Sequence, residues 1–401
     1  MAEQTDSKVP RIHFKGFVGE WEEKALGDLF PITSAARVHK NEWTKSGVPF
    51  FRSSDVVSHF KGNENTKAFI SHELYQELSA KVGRIKKGDM LVTGGGSIGI
   101  PYLAKTDEPL YFKDADLLWF KIRDVVDSNY LYTFFSSELF RRYLRSVSHI
   151  GTIAHYTIEQ AKSTPLRFPK TTAEQTQIGE YFRELDSLIG LHQRKHDKLV
   201  TLKKAMLQKM LPQAGVITPE IRFKGFEGDW VKKPLHCLAS RYDNLRIPVT
   251  ASSRIPGNIP YYGANGIQDY VQGYTHEGEF ILVAEDGAND LKDYPIQYVS
   301  GKVWVNNHAH VLQGKDGLAE TEFLKSAFSQ INVEVFLVGG GRAKLNAETM
   351  MRIEFCVPTD IAEQQKIGTY FRQLDALISK HAIQLQKLKQ LKSACLEKMF
   401  V

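Results

Sequence analysis

Cysteine is almost missing from this 401-residue chain. Cys237, Cys356 and Cys395 are too few and too scattered for a disulfide framework or a Cys-x-x-Cys zinc site, which fits a reducing compartment. Long apolar runs are missing too. No window approaches 18 uninterrupted apolar residues, and the first ten residues lack an apolar signal core. Neither a membrane span nor a secretory leader is expected, and the expected location is the cytoplasm. Charge of one sign is only mildly in excess: 52 Lys and Arg against 46 Asp and Glu leave a net +6. That suits a polyanionic partner without requiring one.

A complete catalytic constellation is also lacking. Gly94-Gly-Gly-Ser-Ile-Gly99 formally satisfies GxGxxG after a strand-like run, but Pro101-Tyr-Leu-Ala continues as extended chain where a dinucleotide site needs a helix N-terminus. A glycine-rich turn that lets backbone approach a ligand is the better reading. His308 and His310 alternate on one strand, without further metal ligands at a telling spacing. Glu285, Asp286 and Asp290 resemble a nuclease acid cluster only loosely. No metal, cofactor or catalytic residue is therefore expected in this chain.

What the chain has instead is a copy of itself. Pro10-Arg-Ile-His-Phe-Lys-Gly-Phe-Val-Gly-Glu-Trp21 recurs as Pro219-Glu-Ile-Arg-Phe-Lys-Gly-Phe-Glu-Gly-Asp-Trp230, with eight of twelve positions identical at an offset of 209. Residues 169–211 recur as 358–400, with 22 of 43 identical at an offset of 189, against roughly 6% expected by chance. Between these blocks the halves diverge, and the second insert is about 20 residues shorter. The scaffold is duplicated while the cargo is not.

The larger block has the pattern of a long helix. Thr171 and Thr172 are cap candidates before Ala173-Glu-Gln. Apolar residues follow at Ile178, Phe182, Leu185, Ile189, Leu199, Met206 and Met210, near a 3.5-residue period, and the second copy repeats the stripe from Ile367 to Met399. Neither copy has an internal proline. Each stripe needs a partner, and the other copy can supply it, antiparallel because a domain intervenes. His192 and His381 interrupt the two stripes at matching places. They are either solvated residues at the stripe's edge or a central polar contact that sets register.

The inserts read as mixed α/β domains. Met90-Leu-Val-Thr, Phe280-Ile-Leu-Val and Lys302-Val-Trp-Val look like strands, and the stretches 130–147 and 322–328 look helical. The expected class is thus α+β: two globular domains, 1–168 and 230–357, two long coiled-coil-like helices, 169–211 and 358–401, and a linker with the repeat start at 212–229. Loops rich in hydrogen-bonding side chains supply candidate DNA contacts. In the first insert these are Arg52, Ser53, Thr93, Ser97, His155 and Tyr156, with Arg141, Arg142 and Arg145 at helical spacing for phosphates. In the second they are Tyr261, Tyr262, Asn265, Gln268, Asn289, Asn307, His308, Arg342 and Lys344.

The paired openers, Phe14-Lys-Gly-Phe-x-Gly-x-Trp21 and Pro169-x(4)-Glu-Gln-x-x-Ile-Gly-x-Tyr-Phe-x-x-Leu-Asp186 with their second copies, resemble the specificity subunits of type I restriction–modification enzymes. Segments 259–267, 281–287 and 304–310 are similar to parts of that family's target recognition domains. The resemblance implies a non-catalytic reader of double-stranded DNA that holds two modification (methyltransferase) subunits and joins restriction (motor-nuclease) subunits. It implies S-adenosylmethionine, ATP and magnesium in those partners, and helices that act as a ruler between two different half-sites. The alternatives left open are the specificity chain of an enzyme with fused nuclease and methyltransferase, and a nucleotide-dependent enzyme using Gly94 to Gly99.

Overall fold

The two repeated blocks each form a 39-residue helix, Thr172–Met210 and Ile361–Met399, about 58 Å long at 1.5 Å per residue. These helices belong to a computed structural model that describes residues 8–114, 116–147, 155–213, 215–339 and 343–401. The chain divides into two compact units, Met1–Leu191 with Gln384–Val401, and His192–Ile383. The division therefore cuts both long helices, where the sequence pattern separated helices from inserts. The reason is packing: each half-helix buries its stripe together with an insert.

In the first unit, Ile178, Phe182 and Leu185 share one core with Cys395, Met399 and Phe400 and with the insert residues Trp21, Tyr130 and Phe134. Lys392 Nζ lies 2.6 Å from Asp186 Oδ1, and the Tyr181 hydroxyl 3.6 Å from Cys395 Sγ. In the second unit, Ile367, Phe371 and Leu374 pack with Leu207, Met210 and Leu211 and with Trp230 and Phe323. There Lys203 Nζ pairs with Asp375 Oδ1 at 2.5 Å and His192 meets His381. Within each unit a rising number on one helix meets a falling number on the other, so the helices run antiparallel.

The inserts differ in architecture. The first carries two four-stranded sheets: Ile32–Thr33, Leu117–Phe120, Met90–Thr93 and Pro101–Leu103 in one, and Trp43–Thr44, Ala68–Ile70, Val48–Phe51 and Tyr111–Phe112 in the other. The second carries one six-stranded sheet in the order Ala239–Arg241, Ala309–Gly314, His276–Ala284, Ile296–Val305, Pro256–Gly263 and Gly266–Val271. Gly278 and Gly301 sit opposite each other in its central hairpin, both with positive φ (140° and 83°). That pairing lets both strands leave regular geometry at one level. The expected helical stretch 130–147 is two helices, Ser128–Phe135 and Glu138–Val147. They part at Ser136 and Ser137, where the Ser137 hydroxyl accepts the Phe140 N–H, a local bond that competes with helix continuation.

Each insert is mounted the same way. A two-stranded antiparallel ribbon closes its base, Glu22–Ala25 with Pro165–Phe168 in one unit and Val231–Pro234 with Glu354–Val357 in the other. A short insert helix then sets its N-terminus against the long helix. Buried Gln175 accepts the Asp127 N–H (2.8 Å) and donates to Pro169 O (2.8 Å); buried Gln364 accepts the Glu320 N–H (2.9 Å) and donates to Pro358 O (2.9 Å). Asp127 and Glu320 in turn cap their helices. One turn along, a Cβ on Gly179 would lie 2.6 Å from Tyr130 N, and a Cβ on Gly368 would lie 2.9 Å from Phe323 N. The repeated Glu-Gln-x-x-Ile-Gly is thus a docking surface for backbone, and glycine is required by close approach.

Candidate nucleic-acid interface

In the second unit, five segments converge through side chains. Glu285, just past the strand His276–Ala284, receives Arg246 Nη1 at 2.7 Å and Lys344 Nζ at 2.8 Å. The next residue, Asp286, meets His308 Nδ1 at 2.5 Å. Asn265, in the hairpin turn, donates Nδ2 to Gly287 O (2.8 Å) and accepts the Asn289 N–H through Oδ1 (2.9 Å). His310 is buried, with Nδ1 2.7 Å from Asp243 Oδ2 and Nε2 2.9 Å from Leu345 O. Burial alone would raise the Glu285 carboxyl, but Lys344 and Arg246 outweigh it and hold its pKa below the ordinary range. Asp243 is likewise held low: hydrogen bonding and charge from His310, the Val311 N–H and Arg246 override burial.

Asp243, Glu285 and His310 place ligand-type atoms within 4.8 Å of one another. Arg246 and Lys344 already neutralise those carboxylates, and both His310 nitrogens face acceptors, so the cluster serves as an ion-pair lattice for the protein's own cations. Asp290-Leu-Lys292 completes an acid-x-Lys spacing nearby, yet Asp290 Oδ1 accepts the backbone N–H groups of Lys292 and Asp293. The lattice holds the 285–289 loop, the 306–310 segment and the 264–265 turn in fixed mutual positions. Exposed Asn289 and Asn307 lie on these segments, and exposed Gln268 lies on the adjoining strand Gly266–Val271, where its Oε1 accepts from Arg254.

The sequence candidates fall into groups. Thr93, Tyr156 and Tyr261 are buried, and their hydroxyls are engaged: Thr93 Oγ1 with Ser97 O, Tyr156 with Thr164 at 2.6 Å, Tyr261 with Val249. As DNA contacts these three are corrected by the structure: they support loops from inside. Tyr262, next to Tyr261 in the same strand, is half-buried. Asn265, His308 and Lys344 take part in the loop lattice described above. Arg52 is clamped by Asp55 (Nε to Oδ2, 2.7 Å) and by Thr66 O, and Ser53 donates to Asp116 O at 3.0 Å. Ser97, Arg141, Arg142 and His155 are exposed, and Arg145 pairs with Glu138. Arg342 lies outside the described residues, as does most of the 148–156 loop. The Gly94–Gly99 loop joins the strands Met90–Thr93 and Pro101–Leu103, with Gly99 N–H bonded to Thr93 O at 2.7 Å. It is a hairpin turn that opens no helix. Sequence reading missed Asp243 and Arg246, because an ordinary Asp-x-x-Arg carries no signal until folding brings Glu285 to it.

The whole arrangement, two unlike inserts on matching docks, has a counterpart among known proteins. The model of the type I restriction modification DNA specificity domain matches residues 19–201 and again 227–390. The chain belongs to this family. A putative type I restriction enzyme specificity subunit of Haemophilus influenzae is 47% identical over 156 residues, 39% of this chain and 40% of that protein. The match thus spans about two fifths of that relative's length. The S subunit of a type I restriction-modification system from M. genitalium shares the fold over 98% of this chain and 99% of its own, with a TM-score of 0.67 and 17% identity. The two family matches coincide with the two halves of the internal repeat, each spanning one insert and much of the helix that follows it. Among the described residues, no helix of this specificity-family chain is long and apolar enough to cross a membrane.

Proposed function

We propose that this chain reads an asymmetric, bipartite sequence in double-stranded DNA on behalf of a type I restriction–modification complex. The observation that carries the reading is the pairing of one dock with two unlike inserts: the Gln175 and Gln364 contacts are the same, while the sheets they carry are not. Each insert reads one half-site, and the antiparallel long helices act as a ruler for the unspecified gap. One DNA turn, about 34 Å, is the natural scale for the separation. In the second insert the loop lattice presents Asn289 and Asn307 to base edges, with Gln268 on the adjoining strand. In the first, Arg141 and Arg142 contact phosphates. Catalysis belongs to the partners: two methyltransferase subunits with S-adenosylmethionine, and motor-nuclease subunits with ATP and magnesium. The complex works in the cytoplasm.

The test is exchange of residues 230–357 for the equivalent segment of another specificity chain, followed by genome-wide methylation mapping. The expected result is one half-site changed and the other retained. A target in which both halves change, or neither, rejects the two-reader model.

A further inference from the structure

The contact between His192 and His381 joins two imidazoles through the same atom. Their Nδ1 atoms are 2.8 Å apart, with ring centroids separated by 5.0 Å. One ring donates and the other accepts, so the pair shares a single N–H and directs two nitrogens at one point between the helices. A third imidazole, His196, follows His192 by four residues on the same helix face, the spacing by which two helical histidines grip one ion. Its Nδ1 lies 3.0 Å from Asp197 Oδ1, and Gln193 Nε2 holds the same carboxylate at 3.0 Å. With Nδ1–H given to Asp197, the lone pair of His196 sits on Nε2. This carboxylate–histidine pairing fixes the tautomer of metal-ligating histidines.

We propose that His192, His381 and His196 form a transition-metal site that binds a divalent zinc ion across the two long helices. Zinc to imidazole nitrogen is about 2.0–2.1 Å. A tetrahedral ion between the two Nδ1 atoms therefore needs them roughly 3.3 Å apart, an opening of about half an ångström. The ring that donated its Nδ1–H carries that proton on Nε2 instead, so charge and proton count on the pair are unchanged. His196 completes three ligands by a side-chain rotation, and water fills the fourth position. Lys195 and Lys380 face the pair and oppose a dication, while Asp197 offsets them. The inference does not depend on DNA reading. The ion would pin the helices at one level.

Tag-free full-length protein stripped with EDTA is titrated with zinc chloride by calorimetry, and with cobalt(II) for its visible absorption. One ion per chain is expected, with a tetrahedral cobalt spectrum and a higher melting temperature in zinc. His381→Ala should weaken binding at least about 100-fold. His196→Ala, which leaves the paired contact in place, should weaken it about 10-fold. His236→Ala, at a distant exposed histidine, should leave it unchanged. The proposal is overturned if the wild-type chain shows no saturable binding, or if affinity survives both His381→Ala and His196→Ala. Circular dichroism confirms the helices of each variant, and His196→Ala decides the matter should His381→Ala unfold.

Discussion

The two units fasten their inserts with the same backbone geometry and different charge chemistry. In the first, Trp21 donates its indole N–H to Glu174 at 3.4 Å, and burial raises the Glu174 carboxyl, with only the Trp21 bond and His13 opposing it. In the second, the matching Glu363 is fully buried and grips Arg222 at two points, 2.6 and 2.7 Å, while the Trp230 indole N–H has no hydrogen-bond partner among the described residues. One substitution in the repeat, His13 in one copy and Arg222 in the other, moves the carboxylate from the indole to a guanidinium. The lesson is that the repeat preserves a shape. Which side chain satisfies the buried acid is free to change.

The largest way to sharpen this contrast is Glu363→Gln. It takes the carboxylate from half-buried Arg222, which keeps Glu227 O and Gly228 O as acceptors, and should cost about 3 kcal/mol, the scale of a buried charge-assisted pair of hydrogen bonds. Glu174→Gln should change stability by less than about 1 kcal/mol, since the amide oxygen still accepts the indole N–H. Urea unfolding of the full chain, followed by tryptophan fluorescence, measures both; equal losses would erase the distinction. Next come Gly179→Ala and Gly368→Ala, where the new methyl would strike Tyr130 N or Phe323 N. Each should cost about 2 kcal/mol, and the two should be alike because the dock is alike.

Smaller effects come from acidity, and three of these carboxyls should respond with differing sign. Asp243 and Glu285 are depressed on folding. Their stabilisation is complete above the unfolded carboxylate range and is lost as pH falls through their lowered values. Glu174 is raised. Its contribution is complete below the ordinary value of 4.5 and is lost as pH rises through the raised one. Accordingly Glu285→Gln should flatten the acid limb of the stability profile and cost about 1.5 kcal/mol near neutrality. Glu174→Gln should instead flatten a shallow decline just above the carboxylate range. Denaturant midpoints at a series of pH values check both signs.

Much of the frame could be read before any coordinate. The 3.5-residue stripe marked both helices, and identity at two offsets marked two mounts, because periodicity and duplication are local records of packing. His192 and His381 were visible as matched interruptions, and they do meet. The loop lattice was not visible. Asp243, Arg246, Glu285 and Lys344 are separated by as many as 101 positions, and nothing in their neighbourhoods announces that folding joins them. Exposure misled at Tyr156 and Tyr261: both sit among loop-like residues, yet each aromatic ring turns into the core while its hydroxyl ties a distant segment. The role of Gly179 and Gly368 was hidden for the opposite reason, since a helical glycine looks like a defect until the backbone pressed against it is seen.

That contact has an evolutionary consequence. At Gly179 and Gln175, and again at Gly368 and Gln364, the long helix touches main chain of its cargo as well as side chains: an N–H and the first turn of a capped helix. A main chain is common currency among sequences. A domain that offers an acid-capped helix start at that spot meets the same main-chain socket, so an insert can be exchanged with less retuning of the mount that carries it.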